Sequence, residues 1–391
     1  FFTFLIGRAI ERIRVPWIYA ALLIGAFLAV FEQHLRIHET MPEISLLAEL
    51  GMYLLLLMIG FEIDLDKLKK IKGFIIRSTL SIFALELIFG TLLIHYGFGY
   101  DLFISAIVAL ALAAVGEAML IPILNEFKIK NTKLGQSMMG IGTLDAVIEM
   151  FLLMVVSFLI GWGEANSPVQ TALVIASIFF LFILSFGLTE LRKEGSRFNF
   201  MNIEMMFLFV LAIFFLFVGI GLVSHMEAIA ALLAGISLRA FIPAGRYEKI
   251  ESEIKAMCYG FFVPIFFVDI GLLIDWSILV AAPLLVLAIV VVSTLAKIMG
   301  SYATARDELG KHESILLGVG LSVRFSTCII IAKLLFENGF IDNLLYSAII
   351  ASSLIFNFLV PLIFSYLLVH WGITRSRQHR KLRPGEALVV Q

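Results

Sequence analysis

Apolar runs long enough to cross a lipid bilayer follow one another along almost the whole chain, separated by short polar breaks. In hydrocarbon, every backbone N–H and C=O must be satisfied within the chain, which leaves only helices or closed barrels. The runs here are continuous rather than alternating, so they read as helices. Composition agrees: 61% of the residues are hydrophobic and 15% charged, where a soluble domain carries roughly 25% charge. The expected fold is an all-α polytopic membrane protein with about thirteen transmembrane helices. They fall at roughly 1–11, 15–31, 44–63, 74–97, 102–125, 135–161, 168–190, 204–223, 226–242, 257–274, 277–303, 313–336 and 343–371. The chain opens on Phe1 rather than Met, so its start is expected to lie upstream.

The basic residues sort by side. All but four of the 29 Lys and Arg residues fall in one alternating set of loops and in the C-terminal tail. The four exceptions are Arg36 and the in-span Lys297, Arg324 and Lys333. The positive-inside rule makes the basic loops cytoplasmic, with the C-terminus inside and the N-terminus outside. The tail from Arg375 to Arg383 reads as an anchor at the anionic membrane surface.

Two segments are rich in small residues and carry a charge near mid-span. One runs from Ala109 to Glu117 and is followed by Pro122; the other runs from Gly318 to Thr327 and contains Arg324. In a chain of odd span number, this pattern fits inverted repeats with two crossed discontinuous helices.

Seven ionisable groups lie inside the runs: Glu86, Glu117, Asp145, Glu149, Asp269, Lys297 and Arg324. A carboxylate at bilayer depth costs at least ~2.5–3.5 kcal/mol, and such a group normally persists for a function. Asp145 in Gly142-Thr143-Leu144-Asp145 is the strongest candidate for binding a cation or a proton, and Glu117 is expected to assist it. A carboxylate can hold either ion but not both at once, which is the exclusivity that one-for-one exchange requires. Lys297 is read as its charge partner, the alternative being a structural ion pair. Burial and a neighbouring ammonium act oppositely on a carboxyl's proton affinity, so such a pair can titrate near cytoplasmic pH. Glu149, at i+4 from Asp145, shares its helix face and either joins the site or, the favoured reading, pairs with a base. Arg324 is a further charge partner, with Thr143, Asp269 and Glu86 in support. Glu86 reads equally as a structural hydrogen-bonding group. Asp269 is expected near a helix end or a water-filled vestibule, and Lys333 is expected to snorkel without function.

Other chemistry finds no footing. There is no phosphate-binding GxxxxGK[ST] loop and no Cys/His cluster with metal-ligand spacing. Cys258 and Cys328 fall in spans and give no disulfide framework. The chain is therefore expected to be a transporter rather than an enzyme, with no cofactor beyond the transported Na+ or K+ and H+, and with membrane lipids rather than nucleic acid as its surroundings.

Several segments in order resemble the monovalent cation:proton antiporter-2 family, which includes Kef-type potassium efflux proteins and sodium/proton antiporters. They are Arg14-Val15-Pro16-Trp17-Ile18, then Gly60-Phe61-Glu62-Ile63-Asp64, then Leu124-Asn125-Glu126 with Gly135-Gln136 leading into the Asp145 helix. Val263 to Leu272, Lys297 and Gly318-Val319-Gly320-Leu321-Ser322 complete the series. The resemblance implies a sodium/proton antiporter-like fold over 1–374 and a homodimer. Core helices would lie at about 74–161 and 277–371, scaffold and dimer helices would make up the remainder, and 375–391 would form a basic cytoplasmic tail. It implies elevator-type alternating access, with Asp145 as the ion- and proton-binding aspartate. The family often has Asp, Asn or Gln where Leu144 stands, so a second polar ligand is missing, and Glu117 is expected to replace it. The alternative reading is a regulated, Kef-like potassium efflux module with a cytoplasmic nucleotide-binding regulatory domain beyond Gln391.

Overall fold

The structure is a computed structural model, and it describes residues 7, 18–31, 42–63, 73–116, 120, 123–124, 127–163, 167–190, 202–242, 244–324 and 326–373. Apart from Gly7, the expected first span lies outside the described residues, as do Glu117, Pro122 and the tail 375–391. The other twelve expected spans all have helical counterparts. They are α1 (Tyr19–Ala29), α2 (Pro42–Glu62), α3 (Gly73–Phe98), α4 (Leu102–Ala113), α5 (Lys133–Gly163), α6 (Pro168–Glu190), α7 (Ile203–Leu222) and α8 (Glu227–Phe241). After these come α9 (Ala244–Met257), α10 (Val263–Leu272), α11 (Trp276–Ala281), α12 (Pro283–Leu309), α13 (Lys311–Gly320), α14 (Ser326–Glu337) and α15 (Asn343–His370). Eight helical stretches among the described residues are long and apolar enough to cross a membrane, so this is an integral membrane protein.

Local chemistry sets the helix ends. The Asp101 carboxylate accepts from the amides of Phe103 (2.8 Å) and Ile104 (3.1 Å) and starts α4. Asn202 and Asp342 cap α7 and α15 in the same way, at 2.8 and 2.9 Å. Boundaries moved where polar sequence continues a helix. The span expected at 257–274 begins earlier, because α9 runs through a π-helical turn, Cys258–Phe262, directly into α10. The span expected at 277–303 is divided instead, since Pro283 starts α12 after the short α11 and α12 then runs on to Leu309.

The helices pack in two groups. In one, α1 packs on α10, α10 on α2, α2 on α8, and α8 on α6 and α7. In the other, α12 packs on α3, α13 and α15, with α4 and α14 filling the middle. Helix α5 touches both. Small residues let backbones approach where no hydrophobic force favours association. At Gly235 an added Cβ would lie 2.2 Å from the Leu57 carbonyl oxygen, and at Gly60 2.4 Å from that of Leu232. The α2–α8 contact is therefore backbone against backbone.

The two interrupted helices cross inside the second group. Helix α4 unwinds at 114–116, and the α13/α14 pair is broken from Leu321 through Arg324. The Gly116 amide donates to the Val323 carbonyl at 2.8 Å, joining one break to the other. The pair is antiparallel. Tyr100, before α4, accepts from the Asp342 amide that follows α14 (2.8 Å). At the other end Lys133 pairs with Glu308, just ahead of α13 (2.8 Å). These are inverted repeats with two crossed discontinuous helices.

Candidate functional site

Unwinding a helix in a membrane leaves amides and carbonyls that need partners, and here the partners are charged. Asp145, on the 31-residue α5 and 1% exposed, accepts from the Val115 amide at 2.6 Å through Oδ2. Its Oδ1 has no hydrogen-bond partner among the described residues. On the carbonyl side, Lys297 of α12 is fully buried. Its ammonium donates to Leu321 O at 2.9 Å and to Ala114 O at 3.4 Å. It thus sits where the C-terminal ends of α4 and α13 converge, and a cation there complements both helix dipoles.

Lys297 makes no ion pair with Asp145 within 4.0 Å in this conformation; the two act on opposite sides of the crossover. One serves the exposed amide and the other the exposed carbonyls. Beside Asp145 on α5, Glu149 is 7% exposed and neighbours Thr327 of α14. The favoured expectation that Glu149 pairs with a base is not met, since it has no ion-pair partner among the described residues. Glu149 instead lines a cavity of about 40 Å³ with Val115 and Gly116 of the first break and Ser326 and Thr327 at the start of α14. A water needs roughly 10–15 Å³ by this measure, so the space suits a small ion keeping part of its hydration. Glu62 and Tyr259, from the first helix group, form a facing wall with Ile59.

Three expected site residues lie elsewhere. Glu86 and Arg324 pair with each other, Oε1 to Nη2 at 3.3 Å, and both contact the Ser293 hydroxyl. Arg324 also lies 4.4 Å from the centre of the Phe356 ring. Arg324 therefore serves Glu86 rather than Asp145, because its side chain leaves the break toward α3, α12 and α15. Asp269 lies near a helix end, three residues before the last residue of α10, but is 2% exposed rather than in a vestibule, and it bonds to Lys333. Lys333 does not snorkel: it is 2% exposed, and it also pairs with Glu337 at 3.0 Å. Thr143 spends its hydroxyl on the Met139 carbonyl of its own helix (2.9 Å). Glu117 lies outside the described residues.

Sequence reading missed Ser293, Thr327 and the Val115 amide. A signal existed for Thr327, which follows the second break directly and so starts a new helix. No signal existed for the amide, which becomes a donor only because the helix unwinds there.

The family described as "Sodium/hydrogen exchanger, transmembrane" matches residues 1–370, and the chain belongs to it. Its members are transporters, not enzymes. The chain is 26% identical over 372 residues to the Na(+)/H(+) antiporter of Enterococcus hirae, covering 91% of this chain and 92% of that one. It is 24% identical over 252 residues to the glutathione-regulated potassium-efflux system protein KefC of Cronobacter sakazakii, covering 62% of this chain and 39% of KefC. Its fold matches the sodium proton antiporter MjNhaP1 from Methanocaldococcus jannaschii with a TM-score of 0.61 at 16% identity, covering 96% of this chain and 95% of that one.

Proposed function

We propose that this chain is a secondary antiporter that exchanges Na+ or K+ for H+, with Asp145 and Glu149 as the alternating acceptors of cation and proton. The observation that carries this reading is the meeting of both carboxylates with one stretch of unwound backbone: Asp145 accepts from the Val115 amide, and Glu149 lines a small cavity with Val115 and Gly116. Two carboxylates one turn apart repel, and Lys297 is engaged with backbone carbonyls rather than with either of them. A monovalent cation or a proton supplies the missing positive charge, and either one displaces the other. Family membership and the E. hirae relative support exchange of a cation for a proton.

The cycle is proposed as elevator-type movement of a core at about 74–161 and 277–371 against a scaffold that makes the homodimer contact. The cavity abuts the C-terminal end of α2 and the π-helical turn that follows α9, a helix on which Arg246, Lys249 and Lys255 alternate with Glu248, Glu251 and Glu253. With basic segments cytoplasmic and the N-terminus outside, as positive-inside placement in a prokaryotic plasma membrane requires, this conformation opens inward. Glu117 remains proposed as an assisting ligand.

In proteoliposomes, an imposed Na+ or K+ gradient is expected to drive protons the opposite way. Running Na+, K+ and Li+ in parallel under clamped potential identifies the cation, and no proton movement with any of them would refute antiport. The partial match to KefC favours one alternative, a regulated potassium efflux module. Potassium flux that persists without a counter-moving proton would select it.

A further inference from the structure

Lys333 and Asp269 are joined directly and are each 2% exposed. They belong to different helix groups. Lys333 is on α14, which packs on α4 and α15 and carries Thr327 of the cavity. Asp269 is on α10, which packs on α1 and α2. The pair is thus a buried ionic tie between the helix group that holds the crossover and the group that packs against it.

Three helices place it on the far side of the crossover from the cavity. On α14, Lys333 lies seven residues beyond Ser326, about 10 Å along the axis. On α10, Asp269 lies ten residues beyond the cavity-lining Tyr259, about 15 Å along. On α2, Glu49, which is within electrostatic reach of Lys333 and Asp269, lies ten residues before Ile59 of the cavity wall. Two loops at that end, Gly99 to Asp101 and Asn338 to Asp342, hold no Lys or Arg. The cavity side opens beside basic segments and the opposite side is tied shut.

A buried ion pair adds little net stability over apolar packing, so its worth lies in fixing one arrangement. This one is also built to break. Glu337 sits one turn from Lys333 on the same helix, 3.0 Å away with its side chain 39% exposed. When α14 shifts relative to α10, Lys333 keeps that carboxylate, so the ammonium is never left bare.

We propose that Lys333 and Asp269 form a latch that closes the outer side of the ion path while the inner side is open, and that the latch breaks in every transport cycle, Lys333 leaving with Glu337. This rests on the antiport reading above. The test is a double variant, Asp269→Cys with Lys333→Cys, bridged by a short bifunctional methanethiosulfonate in proteoliposomes that already show cation-driven proton movement. Bridging is expected to lower exchange to about a tenth or less, with recovery on reduction, because a locked state has no population to shift. Single-cysteine variants treated alike control for the reagent and for Cys258 and Cys328. Exchange at the unbridged rate would overturn the latch. A second variant, Asp269→Asn with Lys333→Gln, keeps size and hydrogen bonding. It is expected to melt within a few degrees of the parent yet to change the apparent KM for the cation about three-fold or more by shifting the inward–outward balance. An unchanged KM would mark the pair as structural packing. If the unmodified protein exchanges nothing, the antiport reading fails, which is distinct from either outcome.

Discussion

Replacing Asp145 by Asn is expected to abolish cation-driven proton movement in proteoliposomes, to the level of protein-free vesicles, while the protein stays folded. Asn keeps the shape and can still accept from the Val115 amide, so the crossover survives. What it loses is the charge, and with it both the cation's ligand and the proton's acceptor. Glu149→Gln is expected to do less. Asp145 still binds, but a wall of the cavity loses its charge, raising the apparent KM for the cation on the order of ten-fold, about 1.4 kcal/mol. Flux against cation concentration, alongside a size-exclusion profile of each variant, reads out both. Wild-type exchange by Asp145→Asn would remove the central assignment.

Arg324→Ala is expected to lower the melting temperature of the detergent-solubilised protein, whatever its transport activity. Glu86 is 1% exposed, and its ion-pair partner among the described residues is Arg324. Removing one member of a buried pair leaves an uncompensated charge and costs about 3–5 kcal/mol. For a chain of 391 residues that corresponds to a fall of roughly 4–6 °C. The double change Glu86→Gln with Arg324→Gln removes both charges and is expected to recover most of the loss. A melting temperature for Arg324→Ala equal to that of the exposed Lys130→Ala would show that the pair has no structural weight. A fall for Arg324→Ala, with recovery in the double variant, separates the Glu86–Arg324 pair from the ion site.

Single charges in apolar runs were the legible part of the site. Glu86, Asp145, Glu149, Asp269, Lys297, Arg324 and Lys333 all stand out in sequence, because burying a charge in apolar surroundings is expensive wherever it occurs. Which charge meets which was not legible. Arg324 looked like a charge partner for the site because it falls at the second break, yet its partner Glu86 lies 238 positions away, on the first helix of its group. Lys333 looked free to reach a surface because it falls three residues before the end of its expected span, 313–336, but α10 packs there and supplies Asp269. Glu117, the residue expected to replace the ligand missing at Leu144, lies outside the described residues; the carboxylates that line the cavity among the described residues are Glu62 and Glu149, the latter one turn from Asp145.

The sequence by itself determined that the chain crosses a membrane as a bundle of helices, where the helices interrupt, and which charges are out of place. Those properties follow from local terms: hydropathy over about twenty residues, helix breaking, and the desolvation of individual groups. Only the tertiary structure decided how the charges divide into an ion site, a structural pair and a tie between two helix groups. That division depends on which helix faces which across an antiparallel crossing, where the Val115 amide and the Ala114 and Leu321 carbonyls become ligand-competent because unwinding frees them. A backbone group is identical at every position in sequence, and only its loss of a helical partner makes it part of a site.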